Sequence, residues 1–213
     1  QRVFILDPFN IADPRLKRFR ASYNAMAVLR PDSPTLIEDA ELLADALVIA
    51  AQQKDTHWDD SAKNFIEGVI LHVATAPDYA GACDLVTVRR LINEALATSE
   101  TDDDEEAPVY RLQLEMRINA DRLAASPKTR DLADALDGAV ADFYDKPDRE
   151  RDSVLSTVRR HTKFLDYRAI RSVVQEHDFD LRDLKTGPVT VYLCLPASRL
   201  NIARRWLRIF VNQ

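Results

Sequence analysis

Two short runs of continuous apolar residues stand at opposite ends of the chain, and nearly everything between them is patterned as helix. "VFIL" at 3–6 leads into Asp7-Pro8. "VTVYLCLP" at 189–196 follows the turn signal Thr186-Gly187-Pro188 and is rich in β-branched and aromatic residues. Continuous apolar runs mark strands covered on both faces, typically parallel strands of an α/β sheet. Each run is the other's only plausible mate. The pattern therefore predicts a mainly α protein: about seven helices inserted between two strands of a partial α/β domain.

The helical signals are local and repeated. Thr35 and Glu38 have the spacing of a capping box, and Leu36, Ala40, Leu43, Ala44, Leu47, Val48 and Ala51 follow at helical spacing. A second helix is predicted over 58–75, ended by Pro77, Asp78 and Gly81. Asp84 is suited to cap a third. Pro108 suits the first turn of a fourth, reaching about 125. Ser126-Pro127 repeats the cap-then-proline signal for a fifth, a sixth runs over about 149–165 and a short seventh over about 167–175. Near the C-terminus Ser198 is placed to cap a last helix. On it Leu200, Ala203, Trp206, Leu207 and Phe210 share a face expected to pack on the sheet, with Arg204, Arg205 and Arg208 opposite. Only four glycines occur, which suits helices and not a glycine-turned β-architecture.

Composition excludes several classes. With 46% hydrophobic residues the chain can bury a core. A net charge of -6 argues against a nucleic-acid coat over the whole surface but leaves room for a local basic patch. Cys83 and Cys194 lie far apart in unlike contexts, which favours free thiols and a reducing compartment. No apolar run approaches the ~20 residues that span a bilayer, and Arg2 is followed by only four apolar residues, so no signal peptide is read. Gln1 in place of Met reads as a processed chain or a piece of a longer one.

Little in the chain carries chemistry. Gly68, Gly81, Gly138 and Gly187 are never clustered, so no loop offers a cradle for phosphates. The histidines and cysteines lack metal-ligand spacing. His161, His177 and Asp178 faintly resemble the histidine-aspartate set of a metal-dependent phosphohydrolase, an alternative reading of the chain as a self-standing enzyme. A helical DNA-binding regulator is a further alternative, without a glycine-turned helix pair to support it. His57-Trp58 reads as a helix start with Trp58 in the core, and His72 as a core-edge residue. The acidic run at 99–108 reads as a solvated loop, with docking of a basic partner as the minor reading.

The order of five stretches carries a resemblance. "VFILDPFN", "LIEDAELLADALV", "DTHWDDSAKNFIEGVILHV", "RDSVLSTVRRHTKFLD" and "FDLRDLKTGPVTVYLCLPASRLNIARRWLRIF" resemble, in that order, the type IV secretion coupling proteins of the conjugative TraG/TraD family. The most specific pieces are Trp58-Asp59-x-Ser61-Ala62, Ser153 to Thr157, and the strand entering Leu195-Pro196-x-x-Arg199-Leu200. Where family members often carry Asn-Pro-Leu this chain reads "YNAMAVL", which leaves the path of that loop open.

The resemblance implies a hexameric, membrane-anchored ATPase on the cytoplasmic side of the bacterial inner membrane. It implies a RecA-like domain at 1–30 and 166–213 and an inserted all-α substrate-recognition domain at 31–165, its far boundary lying as late as about 185. The implied partners are relaxosome proteins, other secreted proteins, single-stranded DNA and secretion-channel proteins. ATP and Mg are implied for the family, but its Walker motifs fall outside these residues. No catalytic, cofactor or metal residue is therefore carried over, and no cofactor is expected here. The expected partner or DNA contacts are Arg159, Arg160, Lys163, Arg204, Arg205 and Arg208.

Overall fold

β1 (Arg2–Leu6) and β2 (Val189–Leu193) pair in parallel, with Arg2 opposite Val189 and Leu6 opposite Leu193. The two ends of the chain thus meet in one small sheet. A computed structural model describes residues 1–49, 56–96 and 108–213, and among them the protein is mainly helical. On its other side β1 makes a single parallel bridge, between Ile5 and Arg20. Neither strand is covered throughout, contrary to the pattern of its side chains. Ile5 and Leu6 are buried, yet Tyr192 of β2 is 54% exposed and Leu193 also faces solvent. A continuous apolar run records what a strand is suited to meet, and here part of β2 meets water.

After β1 the chain turns through a loop organised by Asp7. Its two carboxylate oxygens each accept a 2.9 Å hydrogen bond, from the amides of Ile11 and Ala12, and Arg20 lies 3.3 Å away. Asn10 adopts the left-handed conformation (φ 55°), one that Asn tolerates better than most residues. The following segment is strapped to the far end of the protein: the Tyr23 amide donates to Val173 and the Ser22 amide to the Asp178 carboxylate.

The body comprises α1 (Leu36–Leu47), α2 (His57–Thr75), α3 (Leu85–Ala95), α4 (Pro108–Ala124), α5 (Arg130–Tyr144), α6 (Asp148–Thr162) and α7 (Arg168–Val174). A single-turn α8 (Asp183–Thr186) precedes β2, and α9 (Leu200–Asn212) follows it. α2 is the central helix and packs against α1, α3, α4, α5 and α6. Its residues Phe65, Ile66, Val69 and Ile70 are fully enclosed. Each such side chain stabilises the fold by about 1.5–3 kcal/mol relative to exposure. Gly68 lets α5 approach closely: a Cβ there would lie 2.7 Å from that of Ala139 and 3.3 Å from Met116 Cε. Phe65 meets Phe143 at 4.2 Å, and the Tyr144 hydroxyl donates to the Val109 carbonyl, tying α5 to the start of α4.

Several expected helix ends are built differently. Asp84 does cap α3, accepting from the Thr87 amide at 2.8 Å. Thr35 precedes α1 but forms no capping box, because its hydroxyl donates to Asp39. Ser126-Pro127 makes a turn instead of a helix start: α5 begins at Arg130, and Thr129 donates back to the Leu123 carbonyl. Ser198 falls in a short 3-10 segment, and α9 begins two residues later with no side-chain cap. α6 ends at Thr162 and passes into a 3-10 turn over Lys163–Asp166. α1 ends at Leu47, short of the predicted run to Ala51, and Ala51 and most of the acidic run lie outside the described residues.

α9 does not lie on the sheet as its apolar face suggested. Ala203, Trp206 and Ile209 are its buried residues, and the helix packs against α1, while Leu200 is exposed. Its link to the sheet is a ladder of rings. Phe4 of β1 stacks on Phe179 at 4.6 Å, Phe179 meets Tyr23, Tyr23 meets Phe210, and Phe210 meets Trp206. The expected apolar face reaches β1 through intervening side chains.

Candidate functional site

α6 carries the strongest exposed positive charge among the sites anticipated from sequence. Its first turn holds Asp148 and Glu150 and its last turn Arg159, Arg160 and His161, the arrangement that complements a helix dipole. Val154, Leu155, Val158, His161 and Thr162 face the core, which turns Ser156, Arg159, Arg160 and Lys163 outward. The C-terminal end of α6 is gripped by Arg89 of α3. That buried guanidinium donates to the Arg159 carbonyl, to the Thr162 hydroxyl at 2.8 Å and to both oxygens of Asp166. Asp166 is held below the usual carboxylate range by these bonds.

Two grooves run side by side along this helix. One, of about 400 Å³, is lined by Arg89, Ser156, Arg159, Arg160, Lys163 and Asp166. The other, of about 430 Å³, is lined by Trp58, Asp152, Ser153, Ser156 and Thr157. Ser156 belongs to both. The second groove brings together residues of two of the three stretches that carry the resemblance most specifically, Trp58 of α2 and Ser153 to Thr157 of α6. Trp58 is 36% exposed at its rim, not a core residue. His57 packs edge-on to it at 4.9 Å and pairs with Glu150, which holds the start of α2 against the start of α6. Sequence reasoning missed Trp58 because a tryptophan beside an apolar helical run reads as core.

The side chains of Arg159 and Lys163 have no hydrogen-bond or ion-pair partner among the described residues. Arg160 is exposed but leans on Asp59, 3.0 Å away. The α9 arginines are divided differently. Arg204 is exposed. Arg205 turns inward, its Nε donating to the Leu47 carbonyl and its Nη2 to His161 Nδ1 at 3.1 Å. Arg208 donates to the Val48 carbonyl and pairs with Asp45 at 3.1 Å. Two of the three therefore close the C-terminal end of α1, where carbonyls lose their helical partners and the dipole is negative. Burial, aided by Arg204, Arg160 and Arg208, lowers the pKa of Arg205.

His161 is buried between these charges. Its Nε2 donates to Asp59 Oδ1 at 2.8 Å while Nδ1 accepts from Arg205, which defines a neutral imidazole. Burial, with the neighbouring arginines, lowers its pKa. Asp178 instead binds the Ser22 amide, and His177 packs at 5.2 Å on Tyr23. The three residues of the phosphohydrolase alternative thus serve separate contacts. No group of three or more His, Cys, Asp or Glu among the described residues is placed to hold a metal ion.

His72, expected at a core edge, is fully buried. Its Nδ1 lies 3.4 Å from the Asn119 amide, its Nε2 has no partner among the described residues, and burial lowers its pKa to about 4. Cys83 and Cys194 are free thiols, the former pushed up to about 11 by burial. Gly68 and Gly138 lie inside α2 and α5, Gly81 in a turn and Gly187 just before β2, so the four stay as dispersed in the fold as in the sequence.

The combination is a helical body with a basic ridge, mounted on a parallel strand pair, and with no catalytic constellation of its own among the described residues. Residues 1–213 match the family model described as type IV secretory system conjugative DNA transfer, and the chain belongs to that family. It is similar to the conjugal transfer protein TraG of Escherichia coli, with 24% identity over 195 residues, covering 89% of this chain and 28% of that protein. The chain thus spans under a third of that relative's length. Among the described residues no helix is long and apolar enough to cross a membrane.

Proposed function

We propose that this chain is the substrate-recognition segment of a type IV secretion coupling ATPase, and that it recruits relaxosome DNA or protein to the secretion channel. The observation that carries this reading is the family match over the whole chain. In this reading residues 31–165 are an all-α receptor domain, and 1–30 and 166–213 belong to a RecA-like domain. The parallel pairing of β1 with β2 supports the second assignment, because parallel neighbours require a crossover connection and here the helical body provides it. ATP and Mg²⁺ act elsewhere in the hexameric, membrane-anchored protein, and these residues contribute docking and not hydrolysis. The α6 ridge is the docking surface, since Arg159 and Lys163 are exposed cations that the fold itself does not use.

The test is capture of a relaxase with its nicked DNA by the immobilised chain. Capture is expected, and Arg159→Glu combined with Lys163→Glu is expected to abolish it. Failure of the unaltered chain to retain the complex, or equal retention by the double variant, defeats the reading.

A further inference from the structure

We propose that Asp59, His161 and Arg205 form a proton-gated latch between α6 and α9: when Arg160 leaves Asp59, His161 takes up a proton from solvent and Arg205 lets go. The inference rests on the receptor reading above, since Arg160 stands on the docking ridge, and it adds a way for the occupied ridge to act on the C-terminal segment. Its basis is a chain of contacts running from water to the end of α1. The Arg160 side chain is exposed, and its Nη2 donates to Asp59 Oδ1 at 3.0 Å. The same oxygen accepts from Nε2 of the buried His161 at 2.8 Å. On the far side of the ring Nδ1 accepts from Arg205 Nη2 at 3.1 Å, and Arg205 Nε donates to the Leu47 carbonyl. One imidazole thus joins an exposed cation of α6 to the end of α1, through α9.

The ring's two states have opposite consequences. Neutral, it offers Arg205 the lone pair of Nδ1. A proton on Nδ1 occupies that lone pair, breaks the bond to Arg205 and sets two cations face to face. The surrounding charges decide between the states. Arg205 of α9 and Arg160 of α6 oppose protonation, and Asp59 of α2 favours it. Arg204 and Arg208 add positive charge beside Arg205. The charges brought by the other neighbours are already paired, Arg89 of α3 with Asp166 and Asp45 of α1 with Arg208. Arg160 is the exposed member, and an anion on the ridge can draw it from Asp59. Its departure removes a positive charge from the ring's surroundings and strengthens the pull of Asp59, so protonation follows. Arg208 keeps its own hold on Val48 and Asp45, so α9 loosens without detaching.

Two measurements on the whole chain test this: histidine-ring NMR for the charge and tautomer of His161, and amide hydrogen exchange for α9. In the parent, His161 is expected to be neutral at pH 7 with its proton on Nε2. Arg160→Gln should raise the pH at which it titrates, and Arg160→Lys, which keeps the charge, should leave it near the parent. Where the ring is protonated in Arg160→Gln and neutral in the parent, the α9 amides should exchange about tenfold faster, the worth of one charge-assisted hydrogen bond, with α4 and α5 unchanged. On a His161→Asn background, where the side chain takes up no proton, Arg160→Gln should leave α9 alone. Equal titration of His161 in parent and Arg160→Gln overturns the proposal, as does acceleration of α9 by Arg160→Gln when His161→Asn is already in place. Should His161→Asn fail to fold, the Gln and Lys variants of Arg160 decide the matter by themselves. A chain that still captures the relaxase complex, but whose α9 is indifferent to Arg160→Gln, loses the latch and keeps the receptor reading.

Discussion

Two groups of arginine and lysine look alike in sequence and do opposite things in the fold. Arg205 and Arg208 of α9 turn inward and hold the end of α1, and Arg205 also reaches His161. Arg159 of α6 and Lys163 just past its end turn outward, and their side chains form no hydrogen bond or ion pair among the described residues. The difference lies in what each helix packs against. α9 crosses α1 where the carbonyls of Leu47 and Val48 have lost their helical partners, and each guanidinium takes one of them with a second partner, Arg205 with His161 and Arg208 with Asp45. The exposed side of α6 meets no such helix end. A basic cluster is thus structural where it faces a negative helix terminus, and available where it faces water.

The largest expected effect concerns the inward side and its buried histidines. Both His161 and His72 have lowered pKa values in the folded protein, so the unfolded chain binds more protons than the folded one just below the ordinary histidine range. Stability should therefore be complete above about pH 6.5 and decline as pH falls towards about 4. The His72 share is about 3 kcal/mol. Denaturant unfolding at a series of pH values measures it, and His72→Leu should flatten part of the slope and leave the His161 part. A flat profile in the unaltered protein would mean that neither imidazole is enclosed as described.

Arg205→Ala comes next. It strips a charged donor from His161 Nδ1 and from the Leu47 carbonyl, with an expected cost of about 2 kcal/mol. A chemical denaturation midpoint unchanged from the parent would erase the distinction between the two basic groups. The smallest effect is the sharpest control: Arg159→Ala and Lys163→Ala should each alter stability by no more than about 0.5 kcal/mol, as exposed side chains without partners do. A larger loss in thermal melts would show that the ridge is built into the fold and is not a free docking surface.

The helical body was legible because its signals are local. Asp84 as a cap, Pro108 at a first turn and the periodic Leu, Ile and Val of α2 and α3 all stand where the sequence puts them. The signals that misled were also local, and each lost to another local contact. Thr35 gave its hydroxyl to Asp39, and Ser126-Pro127 became the turn before α5. In the candidate site, Arg159, Arg160 and Lys163 were visible in the sequence as a basic cluster on the sixth helix, and all three are exposed. The place of Trp58 in it was not visible, since its exposure depends on where α6 crosses the start of α2.

The sequence by itself determined the mainly helical character, the pair of terminal strands, the family and the absence of a clustered-glycine phosphate loop. Those follow from periodicity, turn residues and motif order, which act over a few neighbouring positions. Only the tertiary structure decided which arginines are spent inside, that α9 rests on α1 and reaches the sheet through a ladder of rings, and that Trp58 opens onto the α6 grooves. Each of those depends on a helix end or a crossing brought together from more than ninety residues away, and no local pattern encodes that meeting.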